Sequence, residues 1–146
     1  MVQSQPRAGD RALSFLRVNE RPPKPRSRGL TEIRGPYYTP MGKRYLQDVL
    51  ETMGAYVDIL KFAGGSFALM PRAALAELID LCHAHGVRVS TGGFIEYVLT
   101  QGPEAVRRYL QACRELGFDI VEVSSGSSPS RPTTWSGWSS RCRKPA

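Results

Sequence analysis

The chain has 146 residues, 41% of them hydrophobic, with twenty Lys and Arg against thirteen Asp and Glu for a formal charge of +7. That length suits one ordinary domain, no apolar run approaches the ~18 residues that suggest a membrane helix, and no apolar stretch at the start reads as a secretory signal. Three well-separated cysteines without a CxxC pair suggest neither a zinc site nor a redox couple, and a reducing cytoplasm is the expected location.

The basic excess is unevenly distributed. Residues 1–28 hold seven Lys and Arg against Asp10 and Glu20, and residues 127–146 hold four basic groups and no acid. Between them, residues 29–126 have nine basic and eleven acidic groups and are close to neutral. The positive charge therefore belongs to the two unpatterned ends, and no nucleic-acid partner is expected.

In chain order, residues 1–28 read as a mobile basic lead-in, extended and solvated around "RPPKPRSRG". "GLTEIRG" (29–35) reads as a first strand. "MGKRYLQDVLETMGAY" (41–56) places Tyr45, Leu46, Val49, Leu50 and Met53 at helical spacing. "VDILKFAGGS" (57–66) is a second strand running into a glycine pair. "PRAALAELIDLCHAHG" (71–86) opens on Pro and closes on Gly, as a helix does. "VRVSTGG" (87–93) is a third strand, "GPEAVRRYLQACRELG" (102–117) a third helix, and "FDIVEVSSG" (118–126) a fourth strand. Cys82 and Cys113 fall inside helices as buried apolar fillers, and Arg107, Arg108 and Arg114 mark a solvated helix face. This βα alternation predicts a parallel sheet covered by helices. In either a doubly wound sheet or a barrel, ligands gather at the carboxyl ends of the strands.

Three groups at those ends have chemical potential. Lys61 lies among apolar neighbours, where an ammonium is costly unless paired or functional. It can neutralise an anion, act as a Schiff-base nucleophile, or pair structurally with Glu32 or Glu122. Those two carboxylates can instead hold a magnesium ion, which takes oxygen ligands, or pair with Arg34 or Lys61. The turns "AGGS" and "STGG" can present backbone N–H groups to an anion, with Glu96 and Tyr97 following the second, where a short loop can turn inward. His83 and His85, at a helix C-terminus, complement its dipole away from the strand ends.

"GLTEIRGPYYT", "YVDILKFAGGS", "RVSTGGFIEYVL" and "GFDIVEVSSG", in that order, resemble the phosphosulfolactate synthase family, and most closely its branch of plant heat-stress-associated proteins. The resemblance implies a (β/α)₈ TIM-type barrel of which residues 29–126 supply the first four βα units, a half barrel. It implies magnesium-dependent addition of sulfite to phosphoenolpyruvate, giving phosphosulfolactate. Carried over by position, it implies catalytic roles for Lys61, Glu32, Arg34 and Glu96. Phosphate or substrate binding falls to Gly64, Gly65, Ser66, Gly92, Gly93, Ser124 and Gly126, and magnesium to Glu122. The first strand departs from the Asp-Lys-Gly expected of the archaeal enzymes, with Glu32, Ile33, Arg34 and Gly35 in its place. That departure is shared by the plant-like branch and opens a second reading, a non-catalytic heat-stress-associated binding protein. A Schiff-base aldolase using Lys61 is a third. Residues 127–146 leave the family pattern and are expected to be a disordered tail, produced by a frameshift after Gly126 or by a genuine alternative exon. The fragment is then expected to be inactive, with open sheet edges through which copies associate.

Overall fold

The computed structural model describes residues 11–35 and 41–124. Three strands, β1 (Glu32–Arg34), β2 (Ile59–Lys61) and β3 (Arg88–Ser90), form a parallel sheet in the order β1-β2-β3. The register sets Arg34 beside Lys61 and Lys61 beside Ser90. Four helices accompany them: α1 (Lys43–Met53), α2 (Arg72–Ala84), the short α3 (Ile95–Leu99) and α4 (Pro103–Leu116). Each strand lies next to its predecessor in sequence, so the sheet grows in one direction without a reversal of order.

The helices start and stop where the local chemistry dictates. Pro103 sits in the first turn of α4, where a missing N–H costs nothing. Gly117 ends it in the left-handed conformation, with the Phe118 N–H on the Cys113 carbonyl and the Gly117 N–H on that of Arg114. Gly86 closes α2 through the same pair of bonds, Val87 to Cys82 and Gly86 to His83. Along α2, Leu75, Leu78, Ile79 and Cys82 are buried at helical spacing. In α1 the buried stripe is narrower than the sequence pattern suggests. Leu46 and Leu50 are in the core, whereas Tyr45 and Met53 are more than half exposed. They lie on the helix flank, outside the arc that faces the sheet.

Alternation along the strands separates two faces. Ile33, Leu60 and Val89 pack with α1, α2 and Phe62, Phe67 and Phe118 in one apolar cluster. Full burial of each large side chain there contributes about 1.5–3 kcal/mol. Glu32, Arg34, Lys61 and Ser90 occupy the opposite face. Cys82 and Cys113 are buried, and Arg107, Arg108 and Arg114 are exposed, as expected.

Three expectations are corrected. Over its described residues the fourth strand is reduced to one parallel bridge, Ser90 with Ile120. After Ser90 the chain turns through Thr91 into a 3₁₀ turn at Gly92–Phe94, so β3 offers no further ladder to pair with. Residues 95–99, read as a loop, form α3, because Ile95 and Val98 find a small core of their own with Val106. Finally, residues 21–28 are anchored rather than free of the fold: Pro22, Pro23, Pro25, Ser27 and Arg28 are exposed, but Arg21, Lys24 and Arg26 bond to the rest of the protein. The Arg26 side chain is fully buried and its guanidinium bonds Asp58 Oδ1 at 2.8 Å and the Ala55 carbonyl at 2.7 Å. Arg21 reaches Asp58 Oδ2 and the Tyr56 carbonyl, and Lys24 Nζ donates to the His85 carbonyl. A buried carboxylate needs such partners, and the proline-rich segment delivers them. Gly126 and residues 127–146 lie outside the described residues. Among those described, no helix is long and apolar enough to cross a membrane.

Candidate active site at the carboxyl ends of the strands

The Lys61 ammonium lies between two carboxylates, 2.6 Å from Glu32 Oε1 and 2.9 Å from Glu122 Oε2. The placement follows from the parallel register. Arg34 is beside Lys61, so Glu32, two residues earlier on the same face, reaches across from β1. On the other side Ser90 is beside Lys61 and Ile120 beside Ser90, which puts Glu122 on this face as well. The hydrogen bonds from Lys61 to Glu32 and to Glu122 push its pKa up, outweighing the opposing effect of burial. Lys61 is therefore a charged ammonium throughout the neutral range.

Glu122 is held from both sides. Its Oε1 accepts a 2.5 Å hydrogen bond from Ser90 Oγ, and Ser90 Oγ in turn accepts the Gly92 N–H at 3.2 Å. The Glu122 N–H approaches Thr91 Oγ1 at 3.4 Å. Ser90 and Thr91 are both fully buried. Ser90 is not among the residues that the sequence pointed to for chemistry, although alternation and register together place it on the face of Lys61.

The glycine turns are closely packed. Gly92 has φ +61°, and a Cβ there would meet the Phe62 carbonyl oxygen at 2.6 Å and the Lys61 Cγ at 3.4 Å. Its N–H is directed to Ser90, so in this arrangement it braces the site internally. A Cβ on Gly65 would overlap the ring of Phe94, the residue that follows Gly92 and Gly93, so the two turns touch through Phe94. Gly64 lies at the open side of its turn, and the Ser66 N–H is engaged by the Ala63 carbonyl. Gly93 lies against Ser124, whose buried Oγ has no hydrogen-bond partner among the described residues. Such an atom is costly to leave unsatisfied. Arg34 is exposed beside Lys61, and Glu96 is half-buried in the first turn of α3.

The assignment of magnesium to Glu122 does not fit this donor set. One Glu122 oxygen is bound to Ser90, and the other to the ammonium that also takes Glu32. Among the described residues no three His, Cys, Asp or Glu side chains converge to hold a metal ion. The space between the two carboxylates is filled by Lys61 Nζ.

A parallel α/β protein with an ammonium and two carboxylates at its strand ends belongs to the broad class that places polar chemistry at that edge of the sheet. The chain belongs to the (2R)-phospho-3-sulfolactate synthase (ComA) family, which it matches over residues 19–145. It is 45% identical over 112 residues to the Arabidopsis thaliana protein HEAT-STRESS-ASSOCIATED 32, covering 77% of this chain and 39% of the plant protein. It is 34% identical over 102 residues to the phosphosulfolactate synthase of Methanocaldococcus jannaschii, covering 69% of this chain and 39% of that enzyme. The corresponding figures for the phosphosulfolactate synthase of Methanothermobacter thermautotrophicus are 31% over 118 residues, 80% and 43%. The chain thus spans about two fifths of the length of the curated relatives it matches.

Proposed function

We propose that this chain is the N-terminal half of a (β/α)₈ barrel and carries the proton-donating part of a site that adds sulfite to phosphoenolpyruvate. The observation behind this reading is the Lys61 ammonium between Glu32 and Glu122, in a chain whose relatives include enzymes named phosphosulfolactate synthase. One-directional growth of the sheet is what barrel closure requires.

The chemistry follows from charge. When sulfite sulfur bonds to the methylene carbon of phosphoenolpyruvate, the double-bond electrons move to the adjacent carbon and its carboxylate. That carbon must then gain a proton. An ammonium fixed at this place can deliver that proton at short range, and solvent later restores it. Two glutamates outweigh the single charge of Lys61, so it has no surplus to offer a phosphate. Arg34, in register beside it, is the better anchor for the substrate's phosphate or carboxylate, with Ser124 Oγ as a further donor. Magnesium, which the resemblance implies, finds no ligand set among the described residues.

The raised pKa of Lys61 argues against the aldolase reading, because a Schiff-base lysine works as a neutral amine with a lowered pKa. The test completes this chain with the remaining barrel half of a phosphosulfolactate synthase relative and incubates it with phosphoenolpyruvate and sulfite, with mass detection of phosphosulfolactate. Product that disappears in Lys61→Met supports the reading, and product undiminished in that variant refutes it. A second reading, a binding protein of the heat-stress response, draws on the higher identity to the plant relative. Absence of product together with suppression of heat-induced aggregation of a client enzyme would favour it.

A further inference from the structure

Ser90 is fully buried on β3, and its hydroxyl has a defined polarity. The Gly92 N–H occupies an acceptor position on Oγ, and the single hydroxyl proton is directed at Glu122 Oε1. Glu122 receives that proton on one oxygen and the Lys61 ammonium on the other. Without the hydroxyl, a carboxylate whose side chain is 27% exposed can rotate toward water and away from Lys61. The Lys61 stem is confined from the other side, because Gly92 leaves it a passage that a Cβ would narrow.

We propose that Ser90 is a positioning residue: by donating to Glu122 while accepting from Gly92, it locks the carboxylate that holds the Lys61 ammonium in place. Ser90 acts through Glu122 and touches no substrate. The inference deepens the reading of Lys61 as the acting cation, and it is tested without substrate, so a chain that forms no product still decides it.

The experiment follows hydrogen exchange of the Lys61 ammonium by nitrogen-15 NMR at fixed neutral pH, in the protein as it stands. An ammonium pinned by two carboxylates exchanges slowly. Ser90→Ala is expected to speed exchange about tenfold, the scale of one hydrogen bond to a charged group, and Ser90→Thr to restore it. In a Glu122→Gln background, Ser90→Ala should add nothing further, because the two residues act through one contact. Should Ser90→Ala lose its fold by circular dichroism, Ser90→Cys, close in volume but a weak donor, takes its place with the same expectations. Three results overturn the proposal: unchanged exchange, slowed exchange, or an equal acceleration with and without Glu122. Slowed exchange would mean that Ser90 merely competes with Lys61 for the carboxylate's charge.

Discussion

At the scale of single residues, environment decides what each ionisable group can do. Lys61 titrates above its ordinary 10.5 because Glu32 and Glu122 bind its charged form. The stabilisation from this pair is complete below the unfolded-state value and is lost as pH rises through the raised folded value. Thermal unfolding of the wild type against Lys61→Met should therefore show a difference that persists through neutral pH and narrows only in strong alkali. Cys82 is the opposite case. Burial pushes its thiol up to about 12, and Asp119 adds to the effect. Since the thiolate is the reactive form, iodoacetamide at pH 8 should leave Cys82 unlabelled in the native protein and label it after denaturation. The importance of Lys61 was legible in the sequence as a cation inside an apolar run. The sequence offers Glu32 and Glu122 as alternative partners but does not show that both hold it at once, because they lie 29 and 61 residues away and only register brings them together. The role of Ser90 was hidden for the same reason, in a side chain that looks unremarkable within "RVST".

At the scale of elements, the glycine and proline signals served well, and the long helices fall within a few residues of their expected spans. Short elements were harder to read. The five-residue α3 carries too few positions to show a period and exists because Ile95 and Val98 have a place to pack. The clasp formed by residues 21–26 was concealed by its composition, since proline and arginine in series usually indicate solvated chain. Its central group, Asp58, is raised by burial, but the Thr31 N–H and then Arg26 and Arg21 outweigh that and hold it below its usual 3.8. The clasp is therefore stable above the unfolded-state value and loosens as pH falls through the lower folded one. Replacing Asp58 by Asn leaves the buried Arg26 without its counter-charge and should cost about 3–5 kcal/mol, measurable by urea unfolding at pH 7.

At the scale of the whole molecule, the sheet has one face for stability and one for chemistry, and among the described residues β1 has no neighbour on its outer side. An uncovered strand edge is a template for pairing with another chain. We expect light scattering coupled to size exclusion to show concentration-dependent association, whereas a strictly monomeric profile across a hundredfold dilution would contradict it. The α/β class and the order of elements were readable from the βα rhythm. Barrel closure was not, because that rhythm is common to open and closed sheets and only the family resemblance pointed to one of them.

The clasp around Asp58 also changes where the folding unit begins. The composition places a boundary at Gly29, and a protein trimmed there for expression would retain every strand and helix described. It would also lose Arg21, Lys24 and Arg26, and with them both guanidiniums that hold Asp58 and the ammonium on the His85 carbonyl. A fragment that keeps these contacts therefore starts at or before Arg21, eight residues upstream of the point where the composition changes.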